Sequence, residues 1–249
     1  MIELLHIDCM DYMKTLPDKT FDICITSPPY NMNTRVNAKG VGYCSRQMDK
    51  GISTKYKNYS DNLSMLDYEK FLTSTIRELV RVSGTVFFNI QQVTGNKPAL
   101  YRAIGELSEY VKEVIIWDKC CSQPAIGEQT LNSLFEYIFV FGGNPITRQF
   151  RGKANFSRGS EDNVFRIRPA NTSTTDHKAG FPIKLPNKIL KLFASAGSRV
   201  FDPFLGTGTT AIAAHYFGCD FVGCEIDKYY YDAAVKRFND ETKQLGMAI

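Results

Sequence analysis

A short apolar run, Arg199–Phe201, leads into Asp202-Pro203-Phe204-Leu205-Gly206-Thr207-Gly208 and then directly into an apolar helical pattern, Thr209–Phe217. Glycines at this spacing let a buried strand turn sharply into a helix and let that helix approach the sheet closely. The feature restricts the chain to layered α/β architectures, and the remaining periodicity agrees. Strand-like runs are Glu3–Ile7, Phe21–Thr26, Thr85–Ile90, Glu113–Trp117, Glu136–Phe141, Arg199–Phe201 and Asp220–Cys224, seven in all. Between them lie helical patterns at Met10–Leu16, Asp67–Leu79, Pro98–Leu107, Pro186–Ala196, Thr209–Phe217 and Tyr229–Leu245. The near-uniform apolarity of several runs predicts a sheet covered on both faces. Glu113–Phe141 departs from the alternation, because its two strands are joined by Asp118–Leu134 without a strong helix; this reads as an antiparallel pair at one sheet edge.

At 249 residues the chain reads as one domain, 1–249, with two long irregular segments, 31–62 and 142–176. The net charge is only +4, but it is unevenly placed. Arg35, Lys39, Arg46, Lys50, Lys55 and Lys57 fall in the first segment, against two acidic residues. Arg148, Arg151, Lys153, Arg158, Arg166, Arg168 and Lys178 lie in or beside the second, against three. Basic excess confined to long loops is what contact with phosphates requires. The seven cysteines show no C-x-x-C pair and no histidine cluster, so no metal site is expected. They fit reduced thiols in a cytoplasmic protein. Met1-Ile2-Glu3 opens on a strand-like run, so no signal peptide is expected, and no apolar stretch is long enough to span a membrane.

Gly206-x-Gly208-x-x-Ala211 formally fits a dinucleotide fingerprint, and Glu225 at the end of the next strand can accept from both hydroxyls of a ribose. NAD and S-adenosyl-L-methionine sites share this geometry. Asp202 favours the second, because a carboxylate there repels a pyrophosphate and suits a sulfonium. No Gly-Lys-Ser/Thr follows, which excludes a P-loop.

The other constellation is Ser27-Pro28-Pro29-Tyr30, at the end of Phe21–Thr26. An exocyclic amino nitrogen is a poor nucleophile because its lone pair is delocalised into the ring. Acceptors that bind its hydrogens favour the reactive, more tetrahedral geometry. The Ser27 hydroxyl and the Pro28 carbonyl can do so, and Pro28 and Pro29 hold that carbonyl rigidly. Tyr30 offers a face for an unstacked base, worth about 1–3 kcal/mol. Such a base must first leave the duplex.

These motifs resemble those of the β-class DNA amino-methyltransferases, in which the catalytic motif precedes the cofactor motif. Thr26 to Tyr30 is similar to the family's catalytic motif, Asp202 to Thr210 to its glycine-rich cofactor motif, and Glu225 to its ribose-binding acid. Asp8 resembles the residue that recognises the cofactor's adenine, and His177-x-Ala179-x-Phe181-Pro182-x-x-Leu185 the segment lining its methionine end. The resemblance implies a Rossmann-like methyltransferase fold, with a seven-stranded mixed sheet of order 3-2-1-4-5-7-6 and helices on both faces. It implies S-adenosyl-L-methionine as cofactor, held by Asp8, Cys9, Phe181, Pro182, Asp202, Pro203, Phe204, Gly206, Gly208, Thr209, Glu225 and Ile226. Ser27, Pro28, Pro29 and Tyr30 would be catalytic. The target-recognition region would be roughly 142–176, with 31–62 or a second subunit assisting, and with Arg35, Lys39, Arg46, Arg148, Arg151, Lys153, Arg158, Arg166 and Arg168 on DNA. The partners implied are double-stranded DNA, with room for a homodimer and a cognate restriction endonuclease.

Serine in the first motif position favours cytosine N4 as the target, whereas Asn31 after Tyr30 often accompanies the adenine N6 pattern. Three further readings stay open: the same chemistry on RNA or a protein glutamine, an NAD-linked oxidoreductase, and a DNA-binding module without catalysis. His177 and Trp117 read as structural residues rather than catalytic ones, and Lys184 as either approaching the cofactor carboxylate or exposed.

Overall fold

The computed structural model describes residues 1–31, 62–122, 128–142, 147–150, 154–169 and 181–243. The strands are β1 (Ile2–His6), β2 (Phe21–Thr26), β3 (Ser83–Ile90), β4 (Val111–Asp118), β5 (Phe135–Phe141), β6 (Val164–Arg166), β7 (Arg199–Asp202) and β8 (Asp220–Glu225). They form one sheet in the order β1-β8-β7-β2-β3-β5-β4-β6. Among the described strands, only β5 runs antiparallel to its neighbours. Reading β7, β8 and β1 as strands 1 to 3 and β2 to β5 as strands 4 to 7, this is the expected 3-2-1-4-5-7-6 with one strand added. Among the described residues the sheet therefore has eight strands where seven were expected. The addition, β6, is three residues long, too short for any periodicity, and lies inside the segment 142–176 read as irregular. It persists because its backbone pairs with Ile116–Asp118 and because Phe165 is buried.

Helices α1 (Cys9–Lys14), α2 (Met65–Val82) and α3 (Lys97–Glu106) cover one face; α4 (Lys184–Phe193), α5 (Thr209–Phe217) and α6 (Lys228–Lys243) belong to the other. The strands serve both faces by alternation. Ile23 and Ile25 of β2 join the α4–α5 core, whereas Cys24 between them joins the α1–α3 core. In α2, Tyr68, Leu72, Ile76 and Leu79 form a buried stripe at helical spacing. Ser64 starts that helix by accepting from the Asp67 amide at 3.1 Å. Among the described residues no helix is long and apolar enough to cross a membrane, and no cluster of His, Cys, Asp and Glu could hold a metal.

The late strand β7 sits centrally, between β8 and β2. Its pairing of Phe201 with Cys24 sets the chain following β7 beside the chain following β2. The topology thus brings residues about 175 positions apart to one edge of the sheet.

Candidate active site

Asp202 is the joint between the two sequence motifs. It is 2% exposed, and both carboxylate oxygens are engaged. Oδ1 accepts from the Thr26 hydroxyl at 2.7 Å and the Phe204 amide at 3.1 Å; Oδ2 accepts from the Thr210 hydroxyl at 2.6 Å. Burial pushes its carboxyl up to about 6, against these three hydrogen bonds that favour the charged form. Asp202 therefore shapes the glycine turn from within and ties it to the end of β2, immediately before Ser27.

The turn itself depends on left-handed backbone. Gly208 (φ 78°) precedes α5, and a Cβ there would meet the Ala234 methyl of α6 at 3.4 Å. Beneath the turn, a Cβ on Gly223 would come within 2.7 Å of Leu205. Arg237 reaches from α6 to the Thr207 and Thr209 hydroxyls at 3.2 and 3.0 Å, a brace the sequence did not reveal.

Glu225 ends β8 opposite the turn. Its two oxygens accept from the Gly206 and Asp227 amides, both at 2.9 Å. Burial, outweighing those bonds, pushes its carboxyl up to about 7. A carboxylate has about four acceptor sites, so two amides leave capacity for a diol. Ile226 beside it is exposed, an apolar surface suited to a flat ring. Asp8 follows β1 on the same sheet edge and caps α1, accepting from the Met10 amide at 2.7 Å. These residues fit a nucleoside-bearing cofactor: a diol acceptor, an apolar plate and a glycine turn at adjacent strand ends. Of the other residues expected there, Cys9 turns its thiol into the core, where burial raises it to about 12. Pro203 is buried, and Phe204 packs on Phe71 of α2 at 5.9 Å. Pro182 is buried and Phe181 half-buried beside α4; His177 and Ala179 fall outside the described residues.

The clamp Ser27–Tyr30 is anchored by residues that sequence reasoning missed. The Tyr68 hydroxyl donates to the Pro29 carbonyl at 2.6 Å, and the Asn96 amide to the Tyr30 carbonyl at 2.8 Å. Asn31, left-handed (φ 54°) and buried, uses its side chain on the backbone of Leu63 and Gly95. The Ser27 hydroxyl lies 3.0 Å from the Tyr30 phenol oxygen, which lies 2.7 Å from Glu136 Oε2. Asn89 Nδ2 donates to the same phenol oxygen at 2.9 Å and to Glu136 Oε2 at 2.8 Å; Lys119 Nζ pairs with Glu136 Oε1 at 3.1 Å. One signal was available. Glu136 alternates with Ile138 and Val140, and Asn89 with Phe87, so each polar residue stands in line with buried ones.

The expected phosphate contacts are dispersed. Arg35, Lys39, Arg46, Arg151, Lys153 and Lys178 fall outside the described residues. Arg158 and Arg168 are exposed. Arg166 lies in β6 and faces Asp118 at 3.8 Å, at the end of β4 that shares the clamp's side of the sheet. Arg148 is exposed and pairs with Glu113, near the end of β4 opposite the clamp's side. Trp117 is a core residue whose indole donates to the Ile167 carbonyl at 2.7 Å.

Known proteins are similar to this chain in sequence and in fold. A type II methyltransferase from Haemophilus influenzae, M.HinfI, is 22% identical over 95% of this chain and 68% of its own length. M.BglI from Bacillus subtilis is 31% identical over 60% of this chain and 45% of its own, so the chain spans under half of that relative. Among solved structures, the cytosine-N4-specific PvuII DNA methyltransferase aligns with a TM-score of 0.69 at 16% identity, covering 95% of this chain and 86% of that one. A putative DNA modification methylase from Thermus thermophilus, complexed with S-adenosyl-L-methionine, aligns with a TM-score of 0.62 at 23% identity, covering 97% and 96%. The family model described as DNA methylase, N6_N4_Mtase, matches residues 21–236. With that match spanning both the clamp and the glycine turn, the chain belongs to the N6/N4 DNA methylase family.

Proposed function

We propose that this chain transfers a methyl group from S-adenosyl-L-methionine to the exocyclic amino group of a base flipped out of duplex DNA. The observation that carries the reading is the Asp202 joint, which holds Ser27 beside the glycine turn through Thr26 and Thr210. When bound, the cofactor supplies an electrophilic methyl group on a sulfonium. Glu225 and Asp8 hold its nucleoside, and the glycine turn accommodates its chain. Ser27 and the Pro28 carbonyl accept from the amino hydrogens while the base stacks on Tyr30. The target amino nitrogen, its hydrogens held by Ser27 and the Pro28 carbonyl, would take up that methyl group and release its proton to water. Positioning supplies much of the acceleration.

Cytosine N4 is favoured as the target by serine at the first motif position. Asn31, which often accompanies the adenine pattern, has its side chain engaged with the Leu63 and Gly95 backbone. Adenine N6 is the alternative, since a serine oxygen accepts from either amino group. In this reading Arg166 and Arg168, exposed in or just after β6 on the clamp's side of the sheet, would meet phosphate.

Long-read methylation sequencing of DNA from cells expressing the chain tests the reading, reporting base and context together. Ser27→Ala and Tyr30→Ala should each lower transfer by about 10²–10³-fold with calorimetric cofactor affinity unchanged. Full activity in both would reject the clamp.

A further inference from the structure

Beneath the clamp lies a polar chain whose direction follows from elementary valence. A glutamate carboxylate only accepts and a lysine ammonium only donates. Glu136 is 8% exposed and receives Lys119 at Oε1 and the Tyr30 phenol and Asn89 at Oε2. The hydrogen between Tyr30 and Glu136 therefore belongs to Tyr30. Burial, and then the nearby Glu136 charge, push the phenol well above its ordinary value, so it keeps that hydrogen. A phenol oxygen has one hydrogen and two lone pairs. The hydrogen goes to Glu136, and one lone pair receives Asn89 Nδ2 at 2.9 Å. The other can only receive the Ser27 hydroxyl hydrogen, at 3.0 Å. Asn89 Nδ2 also lies 3.5 Å from Ser27 Oγ, too far to compete, and its two hydrogens are already directed at Tyr30 and Glu136.

We propose that Glu136, acting through Tyr30, fixes the Ser27 hydroxyl as an acceptor only, and so makes the site select an amino group over an oxo group at the target position. This rests on the methyl-transfer reading above. Ser27, having given its hydrogen inward, presents lone pairs to whatever enters. An amino group meets them with a hydrogen. An oxo group meets them with its own lone pairs and leaves both oxygens without a partner. Glu136, Asn89 and Lys119 touch no reacting atom; they are positioning residues, and Lys119, which can only donate, occupies Glu136 Oε1 at 3.1 Å. Two substitutions release it. Tyr30→Phe keeps the ring but removes the oxygen that receives the serine hydrogen. Glu136→Gln places an amide that can donate to the phenol and so reverse the chain.

The test uses duplexes carrying the site mapped by methylation sequencing, with either the target base or its oxo analogue: uracil for cytosine, hypoxanthine for adenine. Affinity for each is measured with the cofactor product S-adenosyl-L-homocysteine present. The altered base pairing of the analogue is common to all proteins and cancels when the amino-to-oxo ratio of a variant is divided by that of the wild type. The expected result is a ratio lowered about tenfold in both variants, with cofactor affinity unchanged. A general loosening of the site would weaken both duplexes alike and leave the ratio constant. If Glu136→Gln fails to fold, Tyr30→Phe decides alone. An unchanged ratio in Tyr30→Phe, or a wild type that does not discriminate, overturns the inference while leaving methyl transfer standing. A wild type that methylates no DNA would instead overturn the underlying reading, and this inference with it.

Discussion

Around the glycine turn, much of the holding is done by the backbone: the Gly206 and Asp227 amides on Glu225, and the Phe204 amide on Asp202. Around Ser27 it is done by side chains from three other elements, namely Asn89 at the end of β3, Lys119 just after β4 and Glu136 in β5. The first region is built from short stretches of chain whose shape glycine dictates. The second exists only once the sheet has assembled. A turn made of backbone tolerates a varied surround and suits a cofactor that does not change. A network of side chains can be retuned residue by residue, which suits the half of a site that must discriminate among bases. The two halves meet at Asp202, whose carboxylate touches Thr26 on one side and Thr210 on the other.

Removing that joint should have the largest effect. Asp202→Ala leaves two buried hydroxyls and an amide without their acceptor, and should lower unfolding free energy by about 3 kcal/mol in urea titration while abolishing both cofactor binding and transfer. Full cofactor affinity in a folded Asp202→Ala protein would show that the halves are independent. Glu225→Ala breaks one side only. Cofactor affinity by calorimetry should fall about a hundredfold, with the maximal rate at saturating cofactor near wild type. Thr26→Val is subtler, since it keeps the volume and cuts only the link to the clamp. The maximal rate should fall up to about tenfold with cofactor affinity preserved.

What could be read from the sequence divides along the same line. Glycine spacing, strand ends and an acid on the next strand are local signals, so the turn at 202–210 and Glu225 were legible, as was the antiparallel pairing within Glu113–Phe141, although β6 rather than β4 is the outermost strand there. The order of strands was legible only through the resemblance, since no periodicity says that β7 lies between β8 and β2. Strand β6 was not legible: three residues carry no pattern, and Arg166 within it reads as loop charge. The role of Asp202 in joining the two motifs was not legible, because the donors that engage it include Thr26, far away in the chain and adjacent only after folding. Glu136 and Asn89 were missed for a related reason. A polar residue in an apolar run looks like a solvent-facing position unless its parity is compared with its neighbours, and here that parity points inward.

The smallest effect separates the halves by titration. Glu225 is raised from the usual glutamate range, near 4.5, to about 7 by burial, and Asp202 from near 3.8 to about 6. In the cofactor-free protein the folded state therefore holds protons that the unfolded chain has released, over the window between those values. The contribution of both groups to stability is fully present below the unfolded values and is lost as pH rises through the folded ones. Cofactor binding should run the other way. A ribose diol needs the charged carboxylate as acceptor, so affinity should fall as pH drops below about 7, approaching tenfold per unit for one linked proton. The midpoint gain on adding cofactor, measured by thermal unfolding, should accordingly shrink from pH 8 to pH 6 while the cofactor-free midpoint loses nothing to these two groups. Glu225→Gln, which cannot titrate, should flatten the affinity profile and leave the pH response of the Ser27–Tyr30 half unaltered. A profile unchanged by that substitution would move the proton, and the ribose contact with it, to another residue.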